Sequence, residues 1–114
     1  MEALKIMQKW EDFAVHLYQA TRAYPKSERH TLAASTIKSA LAVGSELARA
    51  NVIRDKSEKR RHLETADMEL GRLKILIRLG MKLQFMPLKK YEISCGMLTE
   101  LGSMLGGWLK AAGR

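Results

Sequence analysis

The sequence predicts an all-α fold, an antiparallel up-down-up-down four-helix bundle, and three observations carry that prediction. Apolar or small residues recur at alternating spacings of four and three in four separate stretches, which keeps each set on one helical face. Strand-like alternation is absent over any useful length. Only two prolines interrupt 114 residues, so long helices are free to form.

The first stripe reads Ile6, Trp10, Phe13, Leu17, Ala20, Tyr24. It stops at Tyr24-Pro25-Lys26-Ser27, because Pro25 disfavours helical geometry at Tyr24. Ser27 is then placed to accept a bond from a free backbone N–H and cap the second helix. That helix carries Ala33, Ile37, Ala40, Gly44 and Leu47 inward, with Asn51 ending the stripe. The charged run Arg54–Arg61 separates it from the third, with Asp55 or Ser57 as caps. The third stripe is Leu63, Ala66, Leu70, Leu73, Ile77, Gly80. After Phe85-Met86-Pro87-Leu88, with Pro87 tolerable in a first helical turn, comes Tyr91, Ser94, Leu98, Leu101, Leu105, Trp108, Ala112. Helices of about 20–26 residues, near 30–39 Å each, joined by short links, pack as antiparallel neighbours. Residues 1–114 make one domain.

Composition narrows the function. Twenty Lys and Arg against twelve Asp and Glu give a net charge of +8 and a pI near 9.9, which brings polyanions into consideration. The single cysteine, Cys95, excludes an internal disulfide framework and multi-cysteine zinc patterns, and reads as a small buried hydrophobe. Charges at Glu2, Lys5, Lys9, Glu11 and Asp12 break the N-terminal segment as a signal peptide, and no uncharged run approaches a bilayer's span. The expected location is cytoplasmic, in a prokaryotic or phage-encoded setting.

Catalysis finds little support. Glu58 and His62, and Asp12 and His16, are each four apart, but neither pair has a matching set on another helix, as a bundle metal site requires. They read as surface i,i+4 partners. His16, His30 and His62 lie in different segments without ligand spacing. No Gly-rich phosphate loop or hydrolytic motif is present. No cofactor or metal is expected, and the chain is not expected to be an enzyme.

Two features remain. Gly102, Gly106 and Gly107 stand beside Trp108 inside a helical pattern, where each glycine costs roughly 0.5–1 kcal/mol relative to Ala. Glu100 and Lys110 exclude a membrane dimer motif, so the soluble reading is close approach of another helix at a subunit contact. Many small residues in the stripes (Ala20, Ala33, Ala40, Gly44, Ala66, Gly80) make a lean core that self-association would stabilise. The second feature is basic. Lys74, Arg78 and Lys82 form one row beside the third stripe, joined by Lys59-Arg60-Arg61 and by Lys89-Lys90. Such a row is either a solvated face whose stems cover apolar surface or a surface that tracks phosphates or an acidic partner. Few aromatics lie among these charges, which gives base stacking little support.

Three places carry a family resemblance: Tyr24-Pro25-Lys26-Ser27-Glu28-Arg29; Leu70-x-x-Leu73-Lys74-x-x-Ile77-Arg78-Leu79; and Tyr91-Glu92 followed by Glu100-Leu101-Gly102-x-Met104-Leu105-Gly106-Gly107-Trp108-Leu109. Together they resemble the accessory variability determinant (Avd) proteins of diversity-generating retroelements, within a wider group of four-helix bundles that includes proteins encoded by intervening sequences of bacterial 23S ribosomal RNA genes. The resemblance implies a homopentameric ring without catalytic activity that binds the element's reverse transcriptase and nucleic acid, RNA or DNA, in mutagenic retrohoming. In that process an error-prone cDNA of a template repeat replaces a variable repeat. By position it implies partner-facing roles for Lys74 and Arg78 and places Arg29 in a basic first-turn motif. Lys59, Arg60, Arg61, Lys82, Lys89 and Lys90 rest on charge alone. The competing expectation is an intervening-sequence-type structural or interaction protein with no polymerase partner.

Overall fold

The computed structural model describes residues 2–113 as four helices, α1 (Glu2–Arg22), α2 (Leu32–Val52), α3 (Lys56–Lys82) and α4 (Leu88–Ala111), with a single 3-10 turn at Lys26–Glu28. Each helix packs on its two neighbours in cyclic order, α2 against α3 most extensively, and among the described residues the backbones of diagonal helices stay apart. That is the up-down-up-down bundle, 43 × 24 × 19 Å. The α1–α2 and α3–α4 connections therefore lie together at one end, where the Tyr24 and Phe85 rings meet at 5.6 Å between centroids.

Local chemistry sets the helix ends. Pro25, at φ −54° and ψ 147°, opens the 3-10 turn, and its carbonyl accepts from the Glu28 N–H at 2.8 Å. Ser27, expected from sequence to cap α2, instead lies within that turn. α2 begins one turn later behind Thr31, whose hydroxyl donates to Glu28 Oε1 at 2.7 Å instead of capping. Asp55 does cap α3, accepting from the Glu58 N–H at 2.9 Å. α3 ends in a Schellman motif: Phe85 N–H donates to Gly80 O and Gln84 N–H to Met81 O, each at 2.9 Å. Gln84 holds the left-handed position, φ 66°, that glycine ordinarily fills. Pro87 stands at the N-cap of α4 rather than inside its first turn.

The inward faces of α1, α3 and α4 match the sequence stripes, save that Trp10 and Tyr91 are only half-buried. α2 buries Ala33, Ala40, Gly44 and Leu47 of its expected stripe, leaves Ile37 half-buried, and adds Thr36, Ser39, Val43 and Ala50; Asn51, at the stripe's end, is exposed. α2 packs on both α1 and α3, so its buried stripe is wider than one apolar row. The hydroxyls inside it are satisfied, Thr36 Oγ1 donating to Leu32 O one turn back at 2.8 Å and Ser39 Oγ to Glu69 Oε1 on α3 at 2.9 Å.

Two glycines allow close packing, and neither belongs to the α4 cluster. A Cβ at Gly44 would overlap the Trp10 indole, whose Nε1–H donates to Ala40 O at 2.8 Å. One at Gly80 would overlap the Tyr24 phenol. No helix of the described residues is long and apolar enough to cross a membrane.

Candidate nucleic-acid and partner interface

Antiparallel threading splits the sequence-predicted cations into two groups. Arg29, Arg78, Lys82, Lys89 and Lys90 are exposed at the end that carries the α1–α2 and α3–α4 connections. Lys59, Arg60 and Arg61 lie in the first turns of α3 at the opposite end. At 1.5 Å per residue, Lys59 and Lys82 are separated by about 35 Å along the helix, so one protomer cannot gather all nine into a single patch. Lys74 falls between, in a groove where α3 meets α4 beside Asp67 and Cys95.

The two groups also differ electrostatically. At the α3 start, Arg61 pairs with Glu58 at 3.7 Å, Arg60 Nη1 donates to Gly113 O at 3.4 Å, and nearby Arg49 pairs with Glu46 at 2.7 Å. At the connection end, Arg22, Lys26, Arg29, Arg78, Lys82, Lys89 and Lys90 face only Glu28 and Glu92, and among the described residues none of these cations is in an ion pair. Unpaired, exposed cations leave their full field for an incoming anion.

Arg22 and Lys26 were not in the expected set. With Arg29 they line a groove of about 540 Å³ between α1 and α2, whose walls include Tyr18, Ala34 and Ile37. Only the turn type could have signalled it. In a 3-10 turn residues three apart are eclipsed, which puts Lys26 and Arg29 on one side. Arg78 sits by Tyr91, whose phenol pKa is pushed up chiefly by the neighbouring Cys95 thiol, with Arg78 opposing.

Both histidine pairs read from sequence as i,i+4 partners reach across helices instead. His62 Nδ1 bonds Glu46 Oε2 at 2.7 Å, joining α3 to α2, and His16 Nε2 meets Ser94 Oγ at 2.7 Å, joining α1 to α4. Both rings are half-buried on helix seams, so they take partners from the facing helix. Ser94 gives its own proton to Lys90 O at 2.7 Å, which leaves it to accept from His16. Burial lowers the His16 pKa, with the Lys90 carbonyl opposing and the Lys90 charge adding to it. Among the described residues no group of three or more His, Cys, Asp or Glu could hold a metal ion.

The subunit-packing candidates divide as well. A Cβ at Gly102, Gly106 or Gly107 would meet nothing within 4 Å, so within one protomer these glycines face open space. Trp108 is turned into the chain's own core and presents little surface to a neighbour.

The fold and surface thus define a four-helix bundle that displays cations at both ends, those at the connection end sharing it with only two carboxylates, Glu28 and Glu92. The chain belongs to the bAvd-like family, which it matches over residues 4–112. Among solved structures it is similar to that of a protein with unknown function from the S23 ribosomal protein family of Bacteroides thetaiotaomicron VPI-5482. The TM-score is 0.88, over 96% of this chain and 99% of that one, at 16% identity. Likeness at that identity shows the fold alone. No curated protein matches the sequence.

Proposed function

We propose that this chain is a non-catalytic accessory subunit of a diversity-generating retroelement. It assembles into a homopentameric ring in the cytoplasm, docks on the element's reverse transcriptase, and holds template RNA or cDNA through basic side chains. Membership of the bAvd-like family supports the retroelement role. The single observation that carries the chemistry is the set of exposed, unpaired cations at the connection end. Holding the template there raises its concentration near the polymerase, as tethering does for any second binding event.

Two surface features support self-assembly. The groove of about 390 Å³ between α3 and α4 is floored partly by Gly71 and Gly102, where no side chain intrudes. Met68, Ile75 and Leu79 are large apolar residues left exposed along α3, at spacings of seven and four that set them on one face of the helix.

Coexpression with the retroelement's reverse transcriptase tests the reading. The wild-type bundle copurifies with the polymerase and its template RNA. Replacing Lys74 and Arg78 together with Ala leaves helix content and mass unchanged but weakens capture. Capture at wild-type level by the double variant removes those two residues from the interface. Failure of the wild type to capture either partner favours a structural protein of the intervening-sequence type.

A further inference from the structure

We propose that the α1–α2 groove seats the backbone of a single-stranded nucleic acid, its phosphates on Arg22, Lys26 and Arg29 and one base against the Tyr18 ring. The inference rests on the nucleic-acid reading above and assigns it to a surface away from the Lys74–Arg78–Lys82 row. Charge is the first argument. Three cations line the groove and no carboxylate does. Glu28, the nearest acid in sequence, is only partly exposed and is engaged by the Thr31 hydroxyl at 2.7 Å.

Preorganisation is the second argument. Pro25 fixes the start of the 3-10 turn, and Arg29 N–H donates to Lys26 O at 3.2 Å, so Lys26 and Arg29 share one side of a constrained loop. Arg22 reaches the groove from the last turn of α1. Size is the third. A groove of about 540 Å³ accepts a nucleotide or two, whereas a duplex, about 20 Å wide, rests on its rim without entering. Tyr18 keeps nearly half its surface exposed, at 47%, and supplies at this rim an aromatic face beside the three cations.

The test is equilibrium binding of fluorescent twelve-nucleotide oligo-dT, oligo-U and a duplex of the same length, by anisotropy. Single strands lose about 0.7 units of log-log salt slope per phosphate contact removed. Converting Arg22, Lys26 and Arg29 to Gln should therefore flatten the slope by about 2 and weaken binding about 100-fold near 0.1 M salt. Tyr18→Leu should weaken single-strand binding about tenfold and leave duplex binding unchanged. All four positions are exposed, and unchanged circular dichroism verifies folding.

A triple variant with wild-type affinity and slope, in a protein that still binds oligonucleotide, overturns the groove assignment alone. Duplex bound as tightly as single strand, or poly-glutamate competing as well as oligonucleotide, overturns it too. A wild-type protein indifferent to every polynucleotide defeats the broader reading.

Discussion

Replacing Gly44 with Ala isolates the contact that lets α1 lie close on α2. The added methyl would sit inside the Trp10 indole, whose ring carbons fall within 2.7 Å of it. The indole is rigid and tethered to Ala40 O at 2.8 Å, so it cannot step aside without losing that bond. Crowding of this kind costs about 1–3 kcal/mol, and the lost hydrogen bond about 1 kcal/mol more. Alanine's better helix propensity offsets about 1 kcal/mol. The net expectation is about 1–3 kcal/mol of destabilisation, a fall in Tm of roughly 5–15 °C. Urea and thermal unfolding at fixed protein concentration measure it, with tryptophan fluorescence following the indole. Gly96→Ala is the control: its Cβ meets nothing within 4 Å, so it should gain roughly 0.5–1 kcal/mol. Stabilisation by Gly44→Ala equal to that of Gly96→Ala would refute the close α1–α2 contact. A Trp10→Ala background should abolish the Gly44→Ala penalty, the coupling expected of residues in contact.

Further outcomes follow from the polar groups and the α4 glycines. The Tyr24 hydroxyl is buried without a hydrogen-bond partner, so Tyr24→Phe should raise stability by about 1 kcal/mol in the same unfolding assay; a loss of that size would reveal a missed partner. Burial works to raise the Glu46 pKa, but hydrogen bonds and charge from His62 and Arg49 outweigh it and hold the carboxyl below 4.5. Its stabilisation is thus present above that pH and lost as pH falls through the lower folded-state value. Glu46→Gln should give a shallower acid limb than wild type, and an identical limb refutes the pairing. The His16 shift is downward, so the folded chain resists a proton that the unfolded chain accepts below about 6.5. Stability should decline as pH drops below that value, and less steeply in His16→Gln. Gly107→Leu should reduce assembly mass in light scattering while leaving helix content intact, and unchanged mass counts against packing of a neighbour there.

The bundle was legible wherever one row of apolar residues faces one core. On α3 every position of the stripe from Leu63 to Gly80 is buried, because its alternating spacing of three and four keeps that row on one face. On α2 the expected stripe is buried but so is a flank beside it, and Thr36 and Ser39 there look polar in sequence yet bond within the bundle once buried. The cations Lys74, Arg78 and Lys82 were visible as a surface row because i,i+4 spacing needs no tertiary information. Arg22 and Lys26 were not, because their convergence with Arg29 depends on a turn that Pro25 creates and a groove that two helices share. His16 and His62 escaped for a similar reason. Their partners, Ser94 and Glu46, are distant in sequence and meet only across a helix seam. The glycines of α4 drew notice for want of side chains, yet the close approaches within the protomer occur at Gly44 and Gly80.

As proposed here, the bundle lends cationic surface, and no reactive group, to a polymerase working on a held template. The decisive assay is cDNA synthesis from template-repeat RNA, using the retroelement's reverse transcriptase with and without the purified protein. Synthesis that rises on adding wild-type protein, and falls back when the Lys74, Arg78, Arg22, Lys26 and Arg29 charges are removed together from a protein of unchanged fold, is the predicted result. Stimulation that persists undiminished after those charges are gone, or no stimulation by the wild type, would contradict the account.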